Sequence, residues 1–234
     1  MRLSQLDGAS TRPIVRSREG AVALLLLALF FGLTMLVHTR LLADIDLGFA
    51  QRIFYELDLD FLIACATVTG VLMASQTSFL YSVVGSLLLW RREVGRWSLA
   101  PMAFLIGIAV EVAMKLFVNQ PTEPLLEFHR DTFYPFFGMT LNGSYPSGHA
   151  LRTAFFFCFL AVLLWNEGRV WRRLAALGLI PLVLFFGFTR LYIGDHWLSD
   201  VVGGLLLGCS IALLAAPPVA RLLARNVPGV DANR

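Results

Sequence analysis

Three short polar segments carry the residue types that nucleophilic and acid–base chemistry require. The first is KLFVNQPTEP at residues 115–124, the second is PSGH at 146–149, and the third runs from Arg190 through His196 to Asp200. Two histidines, a carboxylate, a lysine and an arginine are a familiar set for such chemistry. They lie far apart along the chain, so the fold must bring them together.

Fixed positive charge in these segments favours an anionic ligand, and a phosphate in particular. Lys115 and Arg190 each supply one cation. The PSGH tetrapeptide is typical of a helix start, where backbone N–H groups and the helix dipole attract an anion. Gly148 would let that backbone approach closely. Ser147 either belongs to such an anion site or simply caps the helix.

The two histidines could divide the work of a phosphoryl transfer. One can attack phosphorus while the other protonates the leaving oxygen. Asp200 lies four residues after His196, so on a helix its carboxylate reaches the imidazole and fixes the tautomer. Two simpler interpretations stay open: a purely structural His196–Asp200 hydrogen bond, and a Lys115 that only extends its ammonium toward the membrane surface.

Metal binding is the competing use of such residues, and the sequence predicts against it. Asp195, His196 and His149 lack a third neutral ligand, and the two nearby cations would repel a metal ion. Three cysteines lie within apolar runs at positions without metal-ligand spacing. Cys65, Cys158 and Cys209 are therefore interpreted as small apolar residues of the core. We expect neither a metal nor another cofactor.

In these motifs the chain resembles the type 2 phosphatidic acid phosphatase superfamily, which includes undecaprenyl-diphosphate phosphatases, glucose-6-phosphatase and vanadium haloperoxidases. Its pattern is Lys-x6-Arg-Pro, then Pro-Ser-Gly-His, then Ser-Arg-x5-His-x3-Asp, and the resemblance covers residues 111–210. It implies that His196 is the nucleophile, Asp200 its orienting carboxylate and His149 the general acid. It also implies metal-free catalysis. The phosphoryl-binding residues that it implies are Lys115, Ser147, Gly148 and Arg190.

The chain departs from this pattern in the first segment. Thr122 and Glu123 stand where the family has Arg-Pro, whereas Thr189 in place of Ser is a mild change. Arg152 is a candidate substitute for the missing cation, because it follows His149 by three residues on one helical face. The alternative is a salt bridge from Arg152 to Glu111 or to another acid.

The composition predicts that these segments are positioned by membrane-spanning helices. The chain of 234 residues is 57% hydrophobic and 15% charged, and its mean hydropathy is +0.71. Charged residues cluster between long apolar runs, as they do when the runs lie in lipid. A basic net charge of +3 could indicate nucleic acid, but no basic stripe with interleaved aromatic residues supports it. We expect an all-α, integral membrane six-helix bundle with an outward-facing site.

Six spans are predicted, at about 21–37, 75–90, 101–118, 150–165, 174–190 and 197–216. Residues 61–73 are also apolar and could be a half-span, an interfacial helix or the first part of a longer span. Residues 42–58 are predicted to form an amphipathic lid over the outer face. In the sixth span, Gly204 and Gly208 predict close helix packing inside the bundle, with dimerisation as the alternative.

The distribution of basic residues sets the expected orientation. Thirteen of the 19 lie in the two tails and in the loops after the second and fourth spans. Positive residues concentrate on the cytoplasmic side. We therefore expect cytoplasmic tails at 1–20 and 217–234 around a six-span domain at 21–216, in the cell (inner) membrane. The first span is expected to be retained, since no small-x-small cleavage site follows it. All three polar segments then lie on the periplasmic or extracellular side.

Together these observations predict a membrane phosphatase that hydrolyses a lipid phosphate or diphosphate through a phosphohistidine. Prenyl diphosphate, phosphatidate and phosphatidylglycerol phosphate are candidate substrates. Two alternatives stay open: a phosphotransferase with a lipid hydroxyl as acceptor, and a degenerate member that only binds lipid phosphates. The expected partners are the substrate and the lipid bilayer, without nucleic acid. Neither the individual lipid nor the oligomeric state is determined by the sequence.

Overall fold

The described part of the chain is built of helices. The structure, a computed structural model, describes residues 17–118, 120, 128–130 and 143–225, and no strand occurs within them. A 3₁₀ helix at Gly95–Ala103 leads directly into α5. The α-helices are α1 (Arg18–His38), α2 (Ala43–Glu56), α3 (Asp60–Leu72), α4 (Ser75–Arg91), α5 (Phe104–Phe117), α6 (Gly148–Asn166), α7 (Val170–Tyr192) and α8 (Leu198–Arg225).

Six segments are long and apolar enough to cross a membrane. Five are α1, the continuous 3₁₀–α5 segment, α6, α7 and α8. The sixth candidate is the pair of α3 and α4, which meets the same criteria only as a pair and bends by 51° at its break, as a broken span or a re-entrant loop does. Of the three interpretations of residues 61–73, the half-span and the first part of a longer span both fit this geometry. The predicted all-α membrane bundle is confirmed.

Two helical segments extend furthest past one predicted end. The segment ending in α5 begins at Gly95 and not near 101, because Pro101 is accommodated inside the 3₁₀ turns. Helix α8 continues through Pro217 and Pro218 to Arg225, past the predicted end at 216. Burial accounts for this extension, since Ala216, Val219 and Ala220 are almost fully buried and the first two belong to the same apolar cluster as α1.

Helices α6 and α8 form the axis of the bundle, and their contact is the most extensive in the molecule. Glycines make it possible. A methyl group at Gly204 would overlap the carbonyl oxygen of Ser147, and one at Gly208 would overlap that of Leu151. The predicted role of this glycine pair in close packing is confirmed. The tight contact fixes the beginning of α6 against the beginning of α8.

The predicted lid is helix α2, which packs against α7 and α8. Its Ile53 joins an apolar cluster with Leu62 and Ala66 of α3 and with Tyr192 at the end of α7. Helices α2 and α3 therefore lie beside the ends of α7 and α8 that carry the third polar segment.

Candidate active site

His196 and Asp200 lie together where α8 begins. The imidazole Nδ1 is 3.4 Å from Asp200 Oδ2, and the backbone N–H of Trp197 donates to the same oxygen at 2.9 Å. The Asp200 side chain is completely buried, whereas His196 is 11% exposed. The carboxylate thus holds Nδ1, and the other ring nitrogen, Nε2, remains for chemistry. The predicted His196–Asp200 contact is present, although His196 lies two residues before α8 begins and approaches Asp200 from the preceding turn.

The PSGH segment begins α6, as predicted. Ser147 is the N-cap residue, and its Oγ accepts from the backbone N–H of Ala150 at 3.3 Å. Its own N–H donates to the carbonyl oxygen of Asp200 at 2.9 Å. The second and third segments are therefore joined directly through their backbones. Ser147 acts as a helix cap here, and its contact with a phosphoryl oxygen stays a prediction.

Tyr145 fixes the approach to this segment. Its hydroxyl shares a hydrogen bond of 3.0 Å with Thr34 of α1, and its ring stacks on Phe30 with centroids 6.0 Å apart. Gly203 of α8 leaves room for the ring, which a methyl group there would contact. Burial raises the pKa of the Tyr145 hydroxyl above its ordinary value, so the group stays neutral.

His149 brings the three segments into one site. Its imidazole is partly buried at the beginning of α6 and lies within electrostatic range of Lys115, Arg152, Arg190 and His196. Each of the three segments thus contributes at least one residue to this neighbourhood. The three segments therefore meet around His149, and the catalytic roles of their residues stay predictions.

Arg190 is held by a helix that the motifs do not include. Its Nη2 donates to the carbonyl oxygen of Ala66 and, at 3.2 Å, to Thr69 Oγ1, both on α3. Its Nη1 lies 3.3 Å from Asp195 Oδ2. A methyl group at Gly70 would come within 3.0 Å of Nη1, so this glycine gives the guanidinium its space. The residues of α3 that hold Arg190 were not predicted, because they belong to none of the three sequence motifs.

Lys115 and Arg152 share one carboxylate. Lys115 Nζ is 3.0 Å from Glu111 Oε1, and Arg152 Nη1 is 3.3 Å from Glu111 Oε2. Arg152 Nε also donates to the carbonyl oxygen of Met73, at the break between α3 and α4, at 2.7 Å. The salt bridge considered as the alternative role of Arg152 is thus present. Phosphate binding by Arg152 stays a prediction, and Thr122 and Glu123 lie outside the described residues.

A second buried carboxylate, Asp46, escaped prediction as well. It accepts from the Ser199 N–H at 2.9 Å, from Ser199 Oγ at 2.6 Å and from Gln120 Nε2 at 3.3 Å. Burial raises the pKa of the Asp46 carboxyl, and the hydrogen bonds from Ser199 act in the opposite direction. The only sequence signal was an acid within an amphipathic helix. Asp46 connects helix α2 to Ser199, the residue just before Asp200.

The described part of the long connection before α6 also lies beside the site. The Arg130 N–H donates to the carbonyl oxygen of Ile193 at 2.9 Å, and its guanidinium caps the end of α2 through the carbonyl oxygens of Phe54 and Leu57. His129 Nδ1 lies 3.7 Å from Asp195 Oδ1. Residues 128–130 thus bring a third histidine to the rim of the site.

Among the residues that the structure describes, no three His, Cys, Asp or Glu side chains are grouped as metal ligands would be. Metal-free catalysis stays a prediction.

The family model described as the PAP2 superfamily matches residues 96–222, which include all eight predicted site residues. The chain belongs to the PAP2 superfamily. This membership agrees with the resemblance seen in the three motifs.

Relatives within the PAP2 superfamily act on lipid phosphates according to their names. A lipid A 1-phosphatase of Rhizobium johnstonii is 37% identical over 90 residues, which cover 38% of this chain and 34% of the relative. A putative undecaprenyl-diphosphatase of Escherichia coli is 33% identical over 117 residues, which cover 48% of this chain and 56% of the relative. The matches therefore span between about a third and about half of these curated relatives.

The PAP2 fold is supported by a solved structure. The crystal structure of the transmembrane PAP2-type phosphatidylglycerolphosphate phosphatase from Bacillus subtilis superimposes with a TM-score of 0.65 and 19% identity. The alignment covers 82% of this chain and 93% of that one. At this identity the similarity shows the fold alone.

Proposed function

We propose that this protein is a membrane phosphatase that hydrolyses a lipid phosphate or diphosphate through a phosphohistidine intermediate. The observation that carries the proposal is the His196–Asp200 pair, within reach of a second histidine and of buried cations. A nucleophile, a group that orients it, an acid and positive charge are the parts that such a reaction needs. The names of the relatives support a lipid as the substrate.

In the first step, His196 Nε2 attacks phosphorus while Asp200 keeps the Nδ1 proton in place. The new P–N bond forms as the bond between phosphorus and the leaving oxygen breaks. His149, in its protonated form, gives a proton to that oxygen. Asp200 also stabilises the positive charge that develops on the attacking ring.

In the second step, His149 accepts a proton from water, which attacks the phosphohistidine. The P–N bond breaks, inorganic phosphate leaves and His196 returns to its neutral form. Lys115, Arg152 and Arg190 stabilise the charge on the phosphoryl oxygens in both steps, together with Ser147 and Gly148 at the beginning of α6. Their preorganised charge does the electrostatic work that a metal does in other phosphatases.

The proposed substrate enters with its phosphate at the outer face and its tails in the leaflet. The site lies at the membrane end where α5 finishes and where α6 and α8 begin, so a headgroup can reach it without leaving the lipid. Prenyl diphosphates, phosphatidate and phosphatidylglycerol phosphate all have this form.

A phosphate-release panel in detergent tests the proposal. Purified protein is given each of these three lipids with no added acceptor, and free phosphate is measured. We expect release from at least one lipid, its loss in His196→Ala and its near loss in His149→Ala, because removing one member of a catalytic unit costs orders of magnitude. His38→Ala, at the exposed end of α1, is the matched control. Undiminished release by folded His196→Ala would refute the phosphohistidine mechanism, and release that requires a lipid alcohol would indicate a phosphotransferase.

A further inference from the structure

Glu111 is the residue through which two of the proposed phosphate-binding cations meet. It lies one helical turn before Lys115 in α5, and its two carboxylate oxygens are 3.0 Å from Lys115 Nζ and 3.3 Å from Arg152 Nη1. The residue is only 9% exposed. A methyl group at Gly148 would overlap this carboxylate, so Glu111 lies directly against the beginning of α6.

Two cations close together, Arg152 buried and Lys115 partly buried, need such a group. Moving charges out of water is costly, and like charges in a weakly polar environment repel each other. A carboxylate between them offsets both effects. Without its negative charge, Lys115 and Arg152 would move apart or toward the aqueous surface.

The contacts also restrict how the cations are oriented. A lysine ammonium is a compact charge on a flexible stem, and one of its three donors is directed at Glu111. Arg152 is held at two points, with Nη1 at Glu111 and Nε at the carbonyl oxygen of Met73. Two contacts fix the plane of a guanidinium, which determines which oxygens it can bind.

We propose that Glu111 is a positioning residue of the reaction, which holds Lys115 and Arg152 as a pair for the phosphoryl oxygens. This inference rests on the proposed function. It also accounts for the departure in the first motif. In the sequence Thr122 replaces the arginine of the family pattern, and Arg152 of α6 shares one carboxylate with Lys115.

The opposite role for Glu111 is that of a competing anion. A carboxylate among the cations lowers the net positive charge available to a phosphate, so removing it would tighten anion binding. Positioning predicts the reverse. The sign of the change in Glu111→Gln therefore separates the two roles, because glutamine keeps the size of the side chain and removes the charge.

Equilibrium binding of orthovanadate, a tetrahedral phosphate analogue, gives the first measurement. We expect Glu111→Gln, purified in detergent, to bind vanadate about 10- to 100-fold more weakly than the wild type, which is the range that a charge-assisted hydrogen bond is worth. Equal or tighter binding overturns the proposal. Glu56→Gln removes an exposed carboxylate from α2 and is the matched control, which should bind like the wild type.

A double-mutant cycle in kcat/KM gives the second measurement, with phosphatidate as the substrate if the panel shows that the wild type hydrolyses it. Glu111→Gln and Arg152→Lys are measured singly and together. If Glu111 acts through Arg152, the combined loss is clearly smaller than the product of the single losses. Additive losses overturn the proposal. A purely structural role would lower the melting temperature and leave the kcat/KM of the folded variant unchanged.

The two proposals fail in different ways. Vanadate binding without phosphate release from any lipid would refute the proposed function, and the Glu111 comparison would still be decided by binding. A wild type that binds no vanadate would refute both. If Glu111→Gln does not fold, Glu111→Asp replaces it, because it keeps the charge but displaces it by one methylene. Its vanadate affinity is expected below that of the wild type, and unchanged affinity would overturn the positioning role.

Discussion

At the scale of single residues, the site is dominated by charges that are buried with their partners. Asp200 is fully buried. Its Oδ2 lies within hydrogen-bonding distance of His196 Nδ1 and accepts a hydrogen bond from the Trp197 N–H. Within the described part of the chain its other oxygen, Oδ1, accepts no hydrogen bond. A buried carboxylate oxygen in that state is costly, and proteins retain such groups mainly at functional sites. This agrees with a carboxylate that stabilises charge as it develops on His196.

Arg152 is the residue whose role most needs a test. If its guanidinium binds phosphoryl oxygens, Arg152→Lys loses the planar fork and about 1–3 kcal/mol of transition-state stabilisation. If it serves only the salt bridge with Glu111, the variant melts at a lower temperature and its folded fraction turns over normally. We expect lowered kcat/KM, with partial recovery on introducing Thr122→Arg.

The measurement for Arg152 is made on one preparation. The melting temperature and kcat/KM of Arg152→Lys are determined in the same detergent, with Arg92→Lys on the opposite side of the bundle as the matched control. A lower melting temperature with unchanged kcat/KM would assign Arg152 to structure alone.

Spacing within one element was what made residues predictable. The Ser147 cap follows from helix geometry, and the short separation of His196 and Asp200 keeps them in contact although His196 precedes the helix. The supports from α2 and α3 were not predictable. Asp46 and Ser199 lie 153 positions apart, and Thr69 and Arg190 lie 121 apart, so no local pattern connects them. Only the packed bundle brings such residues into contact.

At the scale of elements, the hydrogen bonds between Asp46 and Ser199 join helix α2 to the beginning of α8. The folded-state pKa of this carboxyl is raised, chiefly by burial, so the folded protein holds its proton more tightly than the unfolded chain does. Its contribution to stability is therefore largest at low pH and is lost as the pH rises through the folded-state pKa. Ser199 reduces this loss by hydrogen bonding to the ionised form.

The pH dependence of the melting temperature of Asp46→Asn tests the contribution of this contact to stability. The melting temperature of the wild type, minus that of the variant, should decrease as the pH rises from about 4, the ordinary pKa of an aspartate, toward neutrality. Asp44→Asn changes an exposed carboxyl on the same helix and should show no such trend. A difference that grows with pH would mean that the ionised carboxylate is the stabilising form.

The contact between α6 and α8 positions the second and third polar segments, and glycine permits it. In Gly208→Ala the new methyl group would overlap the Leu151 carbonyl oxygen, so the helices must separate. We expect a loss of about 1–3 kcal/mol in stability, as for other overpacked sites, and reduced kcat because the first turns of α6 and α8 shift. Activity and melting temperature are measured together.

The control for Gly208→Ala is Gly178→Ala on α7, where a methyl group would meet no atom within 4 Å. Alanine is the better helix former there by about 1 kcal/mol, so this variant should be at least as stable as the wild type. If both variants behaved alike, the close approach of α6 and α8 would not be what matters at Gly208.

At the scale of the whole molecule, the bundle places all of its predicted chemistry at one end. Helices α6 and α8 begin there and α5 and α7 finish there, while the Arg-rich connections after α4 and α6 lie at the other end. Apolar side chains such as Leu25, Met35 and Leu174 are highly exposed on the surface, as expected of helices that face lipid. Sequence patterning at this scale was informative because hydrophobic length and Arg placement are properties of whole segments.

The orientation of that end is the last prediction, and it follows from the thirteen basic residues on the opposite side. Lys and Arg are retained in the cytoplasm, so the site should face outward. In a background without the native cysteines, His129→Cys at the partly exposed rim should react with a membrane-impermeant thiol reagent in intact cells. Arg92→Cys, in the loop after α4, should react only after lysis. The reverse pattern would invert the predicted membrane orientation of the whole molecule, because rigid helices hold the site and the Arg-rich loops at opposite ends. Substrate would then have to come from the cytoplasmic leaflet.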